Sequence, residues 1–265
     1  MGVINLFFVH GFLGKPEDWD FIRNEISNKF SVKVFAVDCF ADLGLTPDNN
    51  FSRWAVHFNE YVKKVAQEGD HNVLIGYSLG GRLALHSLEL DPWLWKSSIL
   101  ISANPGFDDS YDENSKDCAE KFQSSERKAR ILQDSSWSEK FLNLEWNELL
   151  AEWNSQAVFN DSLNEPRRKE SDFNRRFLAL ALNQWSLAKQ KNFRPFLAGN
   201  FNKVQWMVGA KDTKFLHLSI KLKELIPELD LIVIPEASHR VMFDQPQGVF
   251  GEIQKFLKNL ISAMD

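Results

Sequence analysis

The sequence predicts an α/β fold: a mostly parallel central sheet flanked by helices, with an inserted helical cap. Three observations carry that expectation. β-prone apolar runs alternate with amphipathic helical patterns at both ends of the chain, the order that sets parallel strands beneath crossover helices. One such run, Val73-Leu-Ile75, leads into Gly76-Tyr-Ser-Leu-Gly80 and then into Leu83, Ala84, Leu85 and Leu88 at helical spacing. From Phe107 to Trp185 the β-rich runs stop, and dense charge, many aromatics and helical spacing replace them. The expected organisation is a core of residues 1–106 and 186–265, with residues 107–185 as a cap or lid.

Val3–Val9 is a continuous apolar run, the pattern of a strand buried on both faces. It ends in the tight loop His10-Gly-Phe-Leu-Gly14. Pro16-Glu-Asp-Trp19 opens a helix to about Ser27, with Pro in the first turn and acids at the positive end of the dipole. Val32–Val37 is a second strand, closed by Asp38. After a loop through Asn50, Phe51–Gln67 is an amphipathic helix with Trp54, Ala55, Phe58, Tyr61, Val62 and Val65 on one face. Ser98–Ser102 is the strand before the insertion. Within the insertion, Phe141, Leu144, Leu149 and Trp153, then Phe173, Phe177 and Leu180, recur at helical spacing. Alternation resumes with a strand at Val204–Val208, a helix after Lys214, a strand at Leu231–Ile234 and a final helix from Pro246 to Ile261. There is no internal repeat and no low-complexity segment.

The bulk numbers exclude several classes. A chain of 265 residues with 44% apolar and 25% charged residues builds a sizeable core. A net charge of −5 argues against general nucleic-acid affinity and a polybasic membrane surface. Cys39 and Cys118 form no metal-binding spacing and no disulfide framework. No charged segment precedes the first apolar run, so no signal peptide is expected. No stretch approaches the roughly 20 apolar residues of a membrane span. The expectation is a cytoplasmic protein without membrane insertion; monomer and homo-oligomer both remain open.

The Gly76–Gly80 stretch has the form of a nucleophile elbow, in which Ser78 sits on a strained turn that only flanking glycines accommodate. A serine nucleophile needs a base, and the base an orienting carboxylate. Gly209-Ala-Lys-Asp212 and Pro235-Glu-Ala-Ser-His239 each follow a predicted strand, where reactive groups of a parallel sheet collect. Ser78, Asp212 and His239 therefore form a candidate triad. The backbone N–H groups of Leu79, at a helix start, and of Phe12 are the candidate oxyanion donors; His10 is expected to brace the Phe12 loop. No G-x-x-x-x-G-K-[ST], H-E-x-x-H or G-x-G-x-x-G occurs, so the chemistry is expected to need no cofactor and no metal. Arg82 lies one helical turn from Ser78. The insertion adds Arg127, Arg130, Arg167, Arg168, Arg175 and Arg176 among Trp137, Trp146, Trp153 and Phe159. Each arginine alone reads as a surface residue. Together they suit a multiply anionic small substrate, because guanidinium binds carboxylate bidentately. Trp153 and Phe159 fit pocket wall and cap core equally.

Phe8-Val-His-Gly-Phe-Leu-Gly14 with Trp19, Gly76-Tyr-Ser-Leu-Gly-Gly-Arg82, Gly209-Ala-Lys-Asp-Thr-Lys-Phe215 and Ala237-Ser-His239 resemble the α/β-hydrolase-fold enzymes of menaquinone biosynthesis, the 2-succinyl-6-hydroxy-2,4-cyclohexadiene-1-carboxylate synthases. The cap segments Leu150-Ala-Glu-Trp153 and Ala157-Val-Phe159 are similar too. The resemblance implies elimination of pyruvate from a cyclohexene polycarboxylate, with Ser78 as the base driven by His239 and Asp212 and no acyl-enzyme. It implies that Arg82, Arg130 and a late-cap arginine (Arg168, Arg175 or Arg176) hold carboxylates, and that Tyr77 and Trp153 line the pocket. A serine hydrolase of small anionic esters, thioesters or C–C bonds using the same triad is the alternative. Three departures stand out. Asp38-Cys-Phe-Ala-Asp-Leu-Gly44 replaces the relatives' Asp-Leu-Pro-Gly-His-Gly, no hairpin precedes Val3, and Ser238 stands where glycine is common.

Overall fold

The computed structural model describes residues 2–40, 49–108 and 116–264, with side chains from residue 125 onward in the last of these. Most of the Asp38–Gly44 departure and the side chain of Cys118 lie outside the described residues. Among the described residues six strands form one sheet: β1 (Ile4–Val9), β2 (Lys33–Val37), β3 (His71–Tyr77), β4 (Ser97–Ile101), β5 (Val204–Gly209) and β6 (Asp230–Ile234). Their order is β2-β1-β3-β4-β5-β6, and every pairing is parallel.

Strand period two explains the layers. Phe7 and Val9 of β1, Leu74 of β3, Leu100 of β4 and Trp206 of β5 face one apolar cluster, shared with α2 (Phe51–Val65) and α3 (Leu79–Leu90). Leu6 and Phe8, Val73 and Ile75, Ile99 and Ile101, and Met207 face the other, covered by α1 (Asp20–Lys29) and, at the far end of the chain, by α10 (Pro246–Ser262). Each buried Leu or Phe contributes about 1.5–3 kcal/mol of hydrophobic stabilisation. The central strands are therefore apolar on both faces, as parallel strands between helical layers must be.

The N-terminal helix begins later than its Pro suggests. Pro16–Trp19 is a single 3₁₀ turn, pinned by Asp18 Oδ2 accepting from the Lys15 N–H at 3.1 Å, and α1 follows it to Lys29. Between β4 and β5 the described residues hold helices and turns but no strand: α4 (Lys116–Asn143), α5 (Trp146–Asn154), α6 (Arg175–Gln184) and α7 (Arg194–Asn200). The helical run therefore extends past Trp185 to the start of β5. The Phe141–Trp153 spacing is divided between two helices, because the Glu145 carboxylate accepts from the N–H groups of Asn147 and Glu148 and starts α5 afresh. Phe141, Trp146, Leu149, Leu178, Leu182 and Trp185 join the first core cluster, so this layer packs on the sheet's helical cover. The chain closes with α8 (Thr213–Leu225) and a short α9 (Val241–Asp244) that periodicity does not reveal.

Strand order reverses direction between β1 and β3, which makes a crevice beyond their carboxyl ends. Phe12 follows β1 and Ser78 follows β3. The topology thus brings the two loops together at one edge.

Candidate active site

Ser78 is the residue between β3 and α3, and its backbone is strained. Its φ of 52° and ψ of −111° cost on the order of 1–3 kcal/mol for a non-glycine residue. Two glycines permit the turn. A Cβ on Gly80 would lie 2.3 Å from the carbonyl oxygen of Val9, and one on Gly76 would lie 2.6 Å from that of Gly80. The elbow therefore sits directly on the end of β1. The Ser78 N–H donates to the Ile101 carbonyl at 2.8 Å, which holds the elbow to β4.

His239 and Asp212 come from the loops after β6 and β5. The Ser78 hydroxyl lies 3.1 Å from His239 Nε2, and His239 Nδ1 lies 2.7 Å from Asp212 Oδ2. An ionised carboxylate only accepts, so Nδ1 carries the proton and Nε2 is left to accept from serine. Asp212 Oδ1 also accepts the Phe215 N–H at 3.3 Å and caps α8, which orients the carboxylate. Phe215 packs against the imidazole with ring centroids 4.4 Å apart. Ser238 has a task of its own: its N–H and hydroxyl both donate to Asp244 Oδ2. Asp244 Oδ1 accepts from Ser162, Leu163 and Asn164. The loop carrying His239 is thereby tied to the segment after α5.

Phe12 and Leu79 line the cavity beside Ser78. Leu79 opens α3, so its N–H is one of those without an acceptor inside the helix. His10 is fully buried; Nδ1–H donates to the Gly11 carbonyl at 2.8 Å and Nε2 accepts the Cys39 N–H at 3.2 Å. Both ring nitrogens are occupied in fixing the Phe12 loop against β2. Burial pushes the neighbouring Cys39 thiol up, so it stays protonated there.

The cavity above Ser78 has a volume of about 380 Å³. Arg82, Arg130, Trp153 and Phe159 line it together with Ser78 and His239. Arg82 is held by neutral acceptors, Gln190 Oε1 at 2.6 Å and the Trp185 carbonyl at 2.7 Å. Burial, and then the charge of Arg130, push its guanidinium down to about 9. Arg130 pairs with Asp134 at 2.8 Å. Trp153 serves as wall and as packing at once, since it also contacts Phe12, Trp137 and Phe141.

Three nominated residues go elsewhere. Arg175 does not reach the cavity: its guanidinium donates to the carbonyls of Phe141 and Leu144 and pairs with Glu170, stitching α6 to the α4–α5 turn. Arg168 pairs bidentately with Asp18 at 2.6 and 2.7 Å. Arg168 and Tyr77 line not the main cavity but a smaller one of about 80 Å³ that also touches Ser78 and His239. Among the described residues, no group of three or more His, Cys, Asp or Glu is arranged to hold a metal ion.

The model of an alpha/beta hydrolase family matches residues 6–252 of this chain. The chain belongs to that alpha/beta hydrolase family. It is 29% identical over 272 residues to a putative 2-succinyl-6-hydroxy-2,4-cyclohexadiene-1-carboxylate synthase of Haemophilus influenzae, covering 98% of this chain and 99% of the relative. It is 27% identical over 269 residues to the synthase of that name from Escherichia coli O1:K1, covering 96% and 93%. Among solved structures, MenH from S. aureus is similar with a TM-score of 0.78 at 22% identity, covering 98% of this chain and 95% of that one. No helix among the described residues is long and apolar enough to cross a membrane.

For an alpha/beta hydrolase enzyme the arrangement offers a serine hydroxyl hydrogen-bonded to an imidazole that a carboxylate orients, with backbone donors nearby. Such a site abstracts a proton or attacks a carbonyl. Sequence reasoning missed Lys214, whose ammonium burial, and then Arg130, push down, and which lines the main cavity beside the two arginines. Its position two residues after Asp212 was the available signal. Arg240, next to His239, was also missed.

Proposed function

We propose that this enzyme eliminates pyruvate from a succinyl-enolpyruvyl-hydroxycyclohexene-carboxylate, giving 2-succinyl-6-hydroxy-2,4-cyclohexadiene-1-carboxylate. The observation that carries the reading is the presence of Arg82 and Arg130 in the same cavity wall as Ser78. A buried Arg82 guanidinium, pushed down by burial and by the nearby charge of Arg130, is relieved by a bound polyanion. An apolar ester gives the two arginines nothing to bind. The names of the two bacterial relatives support the same substrate.

In this reading Ser78, Asp212 and His239 are a catalytic triad used as a base. His239 Nε2 takes the hydroxyl proton as Ser78 Oγ removes a proton from a ring carbon beside a ketone. The electron pair moves onto the ketone oxygen, which the N–H groups of Phe12 and Leu79 stabilise. It then returns into the ring, the C–O bond to the enolpyruvyl group breaks, and the departing enolate gains a proton to leave as pyruvate. Residues 107–185 act as a cap over this reaction, with Trp153 and Phe159 excluding water. No step uses a cofactor or metal.

The test is a paired turnover assay. One arm follows diene absorbance and pyruvate from the cyclohexene substrate; the other uses short p-nitrophenyl esters. Pyruvate release that falls roughly 10²–10⁴-fold in Ser78→Ala supports the lyase with Ser78 as base. Brisk ester cleavage with no pyruvate release overturns it and leaves a serine hydrolase.

A further inference from the structure

We propose that the smaller cavity is a second anion subsite centred on Arg240, which receives the short carboxylate that leaves Ser78. Arg240 directly follows His239 and is only 6% exposed. Its terminal nitrogen donates to Asn154 Oδ1, and its guanidinium lies 4.2 Å from the Phe159 ring centroid. Both partners are neutral. One hydrogen bond uses one of the five donors of the fork.

Every carboxylate around it is committed elsewhere. Asp18 is held bidentately by Arg168, and Asp244 by Ser238 and the backbone of Leu163 and Asn164. Glu165 accepts from Asn154 at 2.5 Å. Of the two guanidinium groups in this cavity, Arg168 therefore has a matching charge within ion-pair distance and Arg240 has none among the described residues. Burial holds the Arg240 guanidinium below its usual range. The charges of Glu165 and Asp244 offset that burial only in part, without an ion-pair contact, and a bound anion removes the remaining cost.

The cavity of about 80 Å³ is lined by Arg240, Tyr77 and the Gly11–Gly14 loop, and it meets the main cavity at Ser78 and His239. With less than a quarter of the main cavity's volume, it suits a short acid rather than a ring. The ring and its carboxylates then belong with Arg82 and Arg130, and the departing three-carbon acid with Arg240. That assignment of the occupant rests on the pyruvate-eliminating reading.

The probe is pyruvate, with its uncharged amide as control, and affinity is read by saturation transfer from the protein to the methyl protons. Wild type is expected to prefer pyruvate over the amide. Arg240→Gln is expected to weaken pyruvate by roughly 10- to 100-fold, the worth of a charge-assisted hydrogen bond, and to abolish the preference. Arg82→Gln is expected to leave pyruvate binding in place. A packing role alone would move acid and amide together. No preference in wild type, an unchanged preference in Arg240→Gln, or a loss that follows Arg82 instead would overturn the subsite. Should Arg240→Gln not fold, Arg240→Lys carries the test, since a point charge lacks the bidentate fork; pyruvate affinity equal to wild type would then sink the proposal. Because this readout needs no turnover, it separates the two ideas. Absence of pyruvate release sinks the lyase reading, whereas release without Arg240-dependent binding sinks the subsite alone.

Discussion

Ser78 carries both a hydroxyl and a backbone conformation that an ordinary side chain resists. At φ 52° and ψ −111° the Cβ is strained, whereas glycine visits such angles freely. Glycine already outranks alanine at a helix N-cap, and the positive φ at Ser78 should widen that gap. Ser78→Gly is expected to unfold at a higher urea midpoint than Ser78→Ala, by about 1 kcal/mol, although both lack the hydroxyl. Equal midpoints, or Ala above Gly, would mean that the elbow relaxes without a Cβ penalty. Either way the comparison separates the backbone's preference from the hydroxyl's chemistry. The neighbouring imidazole loses the same hydrogen bond in both variants.

Between elements, a buried bidentate ion pair ties the segment between α5 and α6 to the turn before α1. Arg168 and Asp18 are each only 7% exposed on their side chains, and they are 150 residues apart in the chain. Asp18 also accepts the Lys15 N–H at 3.1 Å, close behind the loop that presents Phe12. Removing one partner leaves a buried charge alone, and the expected loss for Arg168→Met is about 3–5 kcal/mol of unfolding free energy. Asp18→Asn combined with Arg168→Met should recover part of that loss, because neither side then buries an unpaired charge. Urea unfolding of the single and double variants decides it. If the double variant is no more stable than Arg168→Met, the pair does not behave as a buried ion pair. This tie also shows why the late-cap arginines were ambiguous. Spacing shows that Arg168 and Arg175 stand near aromatics, but Arg168's partner lies 150 residues away and Arg175's acceptors are carbonyls at a helix break.

At the scale of the whole molecule, alternating runs announce the sheet because strands buried on both faces must be apolar throughout. The elbow, Asp212 and His239 are legible because each closes a strand, and parallel topology then brings strand ends to one edge. The α4–α5 break, the 3₁₀ start of α1, Lys214 and Arg240 are not legible in that way. They depend on which polar group finds which partner after folding. His86 is a further case, and it contributes to how the fold meets acid. Its ring stacks on Phe51 at 4.4 Å and meets Phe193 edge-on at 4.6 Å, and its Nε2 has no hydrogen-bond partner. Burial, followed by the charges of Lys191 and Arg82, pushes it down to about 3 from an ordinary 6.5. Between those values the unfolded chain binds a proton that the folded chain refuses. Stability from this group is thus complete above pH 6.5 and lost as pH falls toward 3, at about 1.4 kcal/mol per unit. His86→Phe keeps the stacking and removes the titration. Relative to wild type it should gain about 3 kcal/mol between pH 6.5 and pH 4, measured by urea unfolding at both pH values. A constant difference between the two proteins across that range would show that His86 takes up its proton in the folded state as readily as in the unfolded one.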